Sequence, residues 1–320
     1  MKIMNYIGLL DPHSLSGEVN VSKNDMKSLK LSGHSVNQYD ISRFNHGLIN
    51  KLLRPIRLFV FPYEVLYIRG KIKSFKPDIL HLHTVTPYVS ISLLIYLSML
   101  KIPVVQTLHN MRWVCLEGAY YRKGRYCDKC SGKNGFSGVV NSCNKGYIRS
   151  LILFFLNRIT RVDKLLFKSV SFFIPVSDFI RKEHILNRFP SDKLVTKSNS
   201  IDLENLPNIL REVNKREGVV FSSRISKSKG SDILKLIIAE IKDPIYVLGN
   251  GPELTDLKNY CDNKYNHVYF LGKVSHDECL TYMSTALCTI VPSQCAESFS
   301  LVAAESMSLG TPVIGSDTGG

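Results

Sequence analysis

The chain has 320 residues, 44% of them hydrophobic, with a mean hydropathy of zero and a formal net charge of +14. That length supports two domains with cores of their own, and the mix of apolar and charged residues excludes an intrinsically disordered chain. The charge is uneven: residues 1–200 carry 30 Lys and Arg against 12 Asp and Glu, a balance of +18, and residues 201–320 carry 11 against 15, a balance of −4. Such asymmetry points to an anionic partner for the N-terminal part, either a membrane surface, a nucleic acid or an anionic acceptor. The apolar start MKIMNYIGLL lacks a long hydrophobic region and a small-residue cleavage site, which predicts a core strand and not a signal peptide. The longest apolar stretches, residues 91–100 and 150–156, fall short of the roughly 20 needed to span a bilayer. No transmembrane helix is predicted, and the chain reads as cytoplasmic.

In chain order, strand and helix patterns alternate, which predicts an α/β protein with parallel sheets. The first sheet takes strands at residues 3–9, 35–39, 79–83 and 104–108, with a helix over 18–31 closed by Gly33. Pro77 and Pro103 precede the last two of these strands, and a later pair is expected at 172–176 and 193–197. A linker is expected at 202–217, where Pro207 and mixed charges interrupt the apolar periodicity. The second sheet takes strands at 219–222, 245–248, 268–271, 287–291 and 313–316, with helices over 231–241 and 253–260. Ser275 and Glu278 form a capping-box pair for the next helix, and Ser300 caps a short helix that Gly310 ends. The expected organisation is an N-terminal domain over 1–203, interrupted by a Cys-rich insertion at 111–146, and a C-terminal domain over 204–320. Both read as Rossmann-like, doubly wound domains whose strand ends face a common cleft.

Several residues at those strand ends carry chemistry. Ser14, Ser16 and Gly17 precede the first helix, where backbone N–H groups approach a phosphate or sugar closely; a plain turn explains them equally well. His109 and Asn110 follow the strand at 104–108, where a His either bonds a sugar hydroxyl or is structural. Arg224, Lys227, Lys229 and Gly230 stand between a strand and a helix, and cations at a helix N-terminus make a diphosphate site, against the bland reading of a solvated basic turn. Gly249, Asn250 and Gly251 end the next strand on the same edge, small enough for a base or ribose to approach. Glu297 lies in the loop after residues 287–291, and Glu305 sits on the second turn of the following helix. There the two carboxylates grip a ligand whose phosphates rest on the helix start at Ser300 and Leu301.

These motifs resemble glycosyltransferase family 4, with the GT-B fold. The resemblance covers nearly the whole chain and rests on HN (109–110), NSID (199–202), SSRISKSKG (222–230), LGNGP (248–252), FLGKV (270–274) and PSQCAESFSLVAAESMSLGTPVIGSDTGG (292–320). It implies retaining transfer of a sugar from a UDP- or GDP-sugar without an essential metal at the donor phosphates. It implies that Arg224 and Lys229 bind the departing diphosphate, that Glu297 and Glu305 are the Glu-x7-Glu pair on the donor sugar and the ribose, that His109 faces the transferred sugar, and that Gly17 lies near the diphosphate. The catalytic set is then Glu297, His109, Arg224 and Lys229, with Gly17, Gly249, Gly251, Ser300, Leu301 and Glu305 binding the nucleotide. Only Gly17 represents the family's paired glycines in the first loop, and Ser200 and Ser223 stand where Gly is usual. Family members continue beyond the position of Gly320, so the second domain is expected to be incomplete, a truncated form.

Cys115, Cys127, Cys130 and Cys143 form C-x11-C-x2-C-x12-C within the insertion. In a reducing compartment this spacing favours a structural four-thiolate zinc site over disulfides; a redox pair and unligated thiols are the alternatives. Residues 43–76 carry eight basic residues among Leu and aromatic ones, and residues 145–168 carry six. Either these helices lie on anionic lipid, making the protein peripheral on the inner face of the cell membrane, or they are ordinary helices with solvated basic faces. The expected function is hexosyl transfer to a lipid-linked oligosaccharide or saccharide acceptor in bacterial surface polysaccharide biosynthesis, such as O-antigen (lipopolysaccharide), capsule or exopolysaccharide. The competing readings are a GT-B-fold nucleotide-sugar epimerase, which needs additional acid/base carboxylates, and a zinc-containing nucleic-acid-binding protein. The last lacks a recognisable reading motif, so no nucleic-acid partner is expected.

Overall fold

A computed structural model describes residues 1–7, 17–40, 54–83, 89–133, 135–162, 164–201 and 215–320. The chain divides into two compact units, Met1–Tyr120 with Asp128–Ser200, and Ile201–Gly320 with the short segment Tyr121–Cys127. The expected linker falls mostly outside the described residues, as do residues 8–16, including Ser14 and Ser16, and 41–53.

The first unit is built on a five-stranded parallel sheet. β1 (Lys2–Ile7) lies between β2 (Ser35–Asp40) and β3 (Ile79–His83), followed outward by β4 (Val104–Leu108) and β7 (Phe172–Pro175). Every residue from Ile3 to Ile7 is buried, as expected of a strand covered on both faces. The order reverses at β1, so the crevice between the ends of β1 and β3 is the place where such sheets bind ligands. The strand expected at 193–197 is replaced. A 3-10 turn takes Ser191–Lys193, and the extended chain after it meets β7 only through a bridge at Leu194 and the Val195 and Lys197 amides.

The helix expected at 18–31 forms as α1 (Gly17–Leu31), and the basic stretches 43–76 and 145–168 carry α2 (Arg54–Phe59), α3 (Pro62–Phe75), α6 (Tyr147–Val162) and α7 (Leu165–Ser169); α4 (Ile91–Ser98), α5 (Ser137–Val140) and α8 (Asp178–Leu186) complete the helices of this unit among the described residues. Within the insertion, β5 (Tyr121–Arg122) and β6 (Arg125–Tyr126) make a small antiparallel hairpin. Among the described residues no helix is long and apolar enough to cross a membrane.

A charged group sits inside this unit. Glu64 of α3 is fully buried and accepts hydrogen bonds from the Tyr6 hydroxyl (2.9 Å), the Ser90 amide (3.1 Å) and the Ser90 hydroxyl (2.6 Å). It thereby ties β1, α3 and the start of α4 together, and Ser90 also caps α4 through the Leu93 amide. Burial pushes the Glu64 carboxyl above its ordinary value of 4.5, against the pull of its three donors. Glu64→Ala leaves those donors without an acceptor and is expected to cost about 3 kcal/mol, read as a lower urea midpoint at unchanged slope. Because the folded pKa is raised, the Glu64 contribution is full below the unfolded value and declines as pH rises through the folded one. Glu64→Gln should therefore remove this decline, so that relative to the parent the variant gains stability as pH rises above the ordinary carboxyl value.

The second unit is another five-stranded parallel sheet. β8 (Val219–Ser222) lies between β9 (Ile245–Leu248), with β10 (Val268–Gly272) beyond it, and β11 (Cys288–Val291), with β12 (Val313–Gly315) beyond that. Alternation along β8 supplies both faces of the core. Val219 and Phe221 pack with Leu234 and Ile238 of α9 (Ser231–Glu240) and Leu257 of α10 (Leu254–Cys261). Val220 packs with Leu280 and Met283 of α11 (His276–Thr285) and with Leu309, just past α12 (Leu301–Ser308). The capping box of Ser275 and Glu278 forms at α11, and Ser300 caps α12 through the Ala303 amide. Sheet order reverses at β8, and β8 pairs with β11 only at Val219–Cys288 and Val220–Thr289. Pairing thus stops two residues before either strand ends, which leaves a crevice at their carboxyl ends.

Candidate functional site

The crevice between β8 and β11 brings together the cations and one of the carboxylates that the sequence singled out. After β8 the chain runs through Arg224 into a 3-10 turn, Lys227–Lys229, that ends at Gly230 with φ +83°. After β11 it runs from Pro292 to Glu297. The two loops are pinned by the Gln294 amide donating to the Ser228 carbonyl at 2.9 Å. A Cβ at residue 230 would lie 1.9 Å from the Pro292 carbonyl oxygen, so only glycine permits this approach.

Across that contact the Lys229 ammonium donates to Glu297 Oε1 at 2.6 Å, with the side chains 31% and 18% exposed. The Ser293 hydroxyl donates to the same oxygen. The Glu297 backbone is held in turn by a bridge to Gly319 and by the Gly320 amide at 2.9 Å. Arg224 is exposed, and no ion pair forms on it among the described residues. Glu305, on the second turn of α12, accepts from His276 Nε2 at 3.0 Å. His276 is the residue that sequence reasoning missed. Its only signal was its place as the first residue of a capped helix, which fixes a direction but not a partner. Ser300 spends its hydroxyl on the cap of α12, so Leu301 contributes there through the amide end of the helix.

Gly249 and Gly251 have a different local reason from the one expected. A Cβ at Gly249 would lie 2.1 Å from the Ser223 carbonyl oxygen, and one at Gly251 would lie 2.1 Å from that of Ile225. Their amides are also occupied, Gly249 by the Gly272 carbonyl and Gly251 by the Asn250 side chain. These glycines let the loop after β9 pack onto the loop after β8, and so support the turn that carries Lys229.

In the first unit a buried polar seam lies between the sheet and α1. His109, just past β4, is 9% exposed, and its Nε2 meets His83 Nδ1, at the end of β3, at 2.9 Å. His81 Nε2 meets the Thr107 hydroxyl at 2.7 Å. Asn110 donates to Glu18 at 2.7 Å, fastening the turn after β4 to the start of α1 beside Gly17. Lys197 and Ser200 both donate to Asp25 of α1. His83 Nε2 is buried with no partner among the described residues. A bare buried lone pair costs less than an orphaned N–H, which assigns the shared proton to His83 Nδ1, donating to His109 Nε2. His109 then carries its own proton on Nδ1.

Burial pulls all three imidazoles down, His81 to about 4 and His83 well below the ordinary 6.5. They are neutral at pH 7. The unfolded chain takes up these protons near pH 6.5 and the folded one only at lower pH, His81 at about 4, so the stability they hold at neutral pH is lost as pH falls. For His81 alone that is about 3 kcal/mol. Urea titrations from pH 7 to pH 4 should show the loss, and His81→Asn should reduce its slope.

None of the eight cysteines is in a disulfide, and in the insertion the Cys130 thiol hydrogen-bonds to Cys115, lowering the Cys115 thiol to about 7. Among the described residues no three His, Cys, Asp or Glu side chains converge tightly enough to hold a metal ion. The hydrogen bond joins Cys115 to Cys130 across the insertion.

Comparison with known proteins gives the family and the fold. The family model described as Glycosyltransferase Family 4 matches residues 33–205, and that described as Glycosyl transferases group 1 matches residues 202–320. An uncharacterized glycosyltransferase of Methanocaldococcus jannaschii is 25% identical over 303 residues, covering 92% of this chain and 72% of the relative. Two solved structures share the fold over 100% of this chain. HepE of Anabaena, in complex with UDP-glucose, has a TM-score of 0.64 at 18% identity, with 81% of its chain covered. Sucrose-phosphate synthase of Thermosynechococcus elongatus has a TM-score of 0.66 at 17% identity, with 82% covered.

Proposed function

Because the chain belongs to glycosyltransferase family 4 and has the GT-B fold, we propose that its second unit binds a nucleotide diphosphate sugar in the β8–β11 crevice and releases the sugar with retention of configuration. The observation that carries this reading is the 2.6 Å contact of Lys229 with Glu297 at the point where sheet order reverses. A cation and a carboxylate held in one place match the two charges that grow together in glycosyl transfer, negative on the departing diphosphate and positive on the anomeric carbon.

In this reading Lys229 and Arg224 take the diphosphate, Glu297 turns to the donor sugar, and Glu305 exchanges His276 for the ribose hydroxyls. The bond from the anomeric carbon to the diphosphate oxygen breaks as the acceptor oxygen attacks the same face, and the acceptor proton passes to the departing phosphate. No metal is needed at the donor phosphates, since the two side chains supply the positive charge. His109 offers its Nδ1–H to a sugar hydroxyl. UDP-glucose is the first donor to test, because HepE was solved with UDP-glucose. The acceptor is lipid-linked or a saccharide of a surface polysaccharide, and the excess of cations over residues 1–200 supports attachment to an anionic membrane face.

A panel of UDP- and GDP-sugars assayed for hydrolysis and transfer tests this reading. Lys229→Ala and Glu297→Ala should each lower kcat by about 10²- to 10³-fold, and Gly249→Ala should lose stability before it loses donor affinity. Unchanged turnover in the first two variants refutes the site, and a trapped covalent glycosyl-enzyme refutes the same-face displacement. We further propose that the four insertion cysteines bind a structural zinc that orders the insertion and takes no part in transfer. Elemental analysis of protein purified without chelator should then find one zinc per chain, and its absence removes the proposal.

A further inference from the structure

The face of the first sheet that meets α1 is polar, where strands covered on both sides ordinarily carry apolar residues. The Asn5 side chain of β1 donates to the Ser22 hydroxyl of α1 at 2.9 Å, which sets the direction of that face. Register places Asn5 beside His81 and His83 beside Thr107, so alternation along the strands puts all four on it. All four are buried, His83 completely. The rings of His81, His83 and His109 follow one another at centroid distances of 4.1 and 5.1 Å.

Burying an imidazole is costly, and a leucine at residue 83 would fill the same place with no polar atom to satisfy. His83 has one hydrogen bond, from Nδ1 to His109 Nε2 at 2.9 Å, while its Nε2 is buried with no partner among the described residues. Its polarity therefore acts on His109. A proton on His109 Nε2 would stand head to head with the His83 Nδ1–H, and moving the His83 proton to Nε2 would orphan a buried N–H. The contact thus keeps His109 from becoming an imidazolium. Burial and Lys197 work in the same direction, against Glu18 and Asp25 of α1, which favour the charged form. With His81 of β3, these are the groups that bear on the pair. The Nδ1 of His109 takes no hydrogen bond among the described residues and, unlike His83 Nε2, is not sealed from the surface. Its proton is the one left for a ligand.

We propose that His83 is a positioning residue of the transfer site: its Nδ1–H fixes His109 as a neutral donor from Nδ1, so that the sugar must present an oxygen that accepts. The part in transfer rests on the function proposed above; the state imposed on His109 does not. A cationic His109 would oppose the positive charge that grows on the anomeric carbon. With its proton on Nε2 instead, the ring would turn a bare lone pair towards the ligand. A neutral Nδ1 donor avoids both.

The full chain labelled with nitrogen-15 histidine reports where each imidazole proton sits through its two-bond proton–nitrogen couplings, with His83→Asn and His109→Gln used for assignment. In the parent, His83 and His109 should both show a protonated Nδ1 and a bare Nε2, unchanged between about pH 5.5 and 8. In His83→Leu, His109 should move to the Nε2–H form or take up a second proton within that range. In His83→Asn, whose amide nitrogen stands in for Nδ1 as the donor, His109 should keep the parent state. Turnover of UDP-glucose should follow, with kcat lower by about tenfold in His83→Leu at a KM within about threefold of the parent, and largely restored in His83→Asn. A merely structural histidine would lower the urea midpoint of both variants and leave the state of His109 alone. A His109 protonated on Nε2 in the parent, a His109 unchanged in His83→Leu, or an equal fall of kcat in the two variants each overturns the proposal. If His83→Leu does not fold, the parent and His83→Asn spectra decide. If the parent turns over no donor of the panel, the transferase reading fails, and the spectra still decide what His83 does to His109.

Discussion

A missing Cβ at residue 230 decides where the charges of the second unit stand. The turn that carries Lys229 can meet the loop that carries Glu297 only because Gly230 lets the Pro292 carbonyl come within what would otherwise be 1.9 Å of a side chain. Other close approaches extend the same constraint outward. Gly249 and Gly251 bring the loop after β9 onto the carbonyls of Ser223 and Ile225, and Gly319 brings the last residues onto Glu297 itself, where a Cβ would lie 2.2 Å from the carbonyl oxygen. The carboxyl edge of this sheet is therefore a stack of loops packed backbone to backbone. Such packing leaves few conformations to the side chains it carries, which is the preorganisation that stabilising a developing charge requires.

In the first unit the order is kept by buried polar pairs instead of bare backbone. Asn110 with Glu18, Asp25 with Lys197 and Ser200, Asn5 with Ser22, and His83 with His109 all fasten α1 or the sheet edge beneath it. Each would be costly alone, since a buried polar group without its partner loses its hydration for nothing. Together they fix the face of the sheet against one helix. The neutral state of the imidazoles follows from the same burial, and it is what allows two of them to share one proton at 2.9 Å.

Much of this was legible in the sequence, and the reasons for the exceptions are specific. Strands such as residues 79–83 and 245–248 were readable because apolar runs stop at turn residues, and the caps at Ser275 and Ser300 because the capping chemistry is local. The strand expected at 193–197 was not formed as such because the preceding 3-10 turn absorbs Lys193 and leaves too little chain along β7, a tertiary outcome that periodicity does not encode. The meeting of Lys229 with Glu297 was foreseeable as neighbourhood but not as contact, because the two are separated by 68 residues and joined by sheet order. His276 was illegible for the same reason. The glycines after β9 were noticed for their size, and only the structure shows that the neighbouring loop occupies the room they leave.

Charge distribution looks at first to favour the wrong unit for an anionic donor, since residues 201–320 carry a net −4. Net charge acts over distance and is screened within about 8–10 Å at physiological salt, whereas a diphosphate is held by the groups it touches. At that range the relevant charges are Arg224, exposed and without an ion pair among the described residues, and Lys229, already neutralised by Glu297. In the proposed site an incoming diphosphate would have to take Lys229 from its carboxylate, and the exchange would release Glu297 as the sugar arrives with it. On the proposed reading, the acidic background would raise the threshold for stray anions, while the local pair would select a ligand that brings both a diphosphate for the cation and a polyol for the carboxylate.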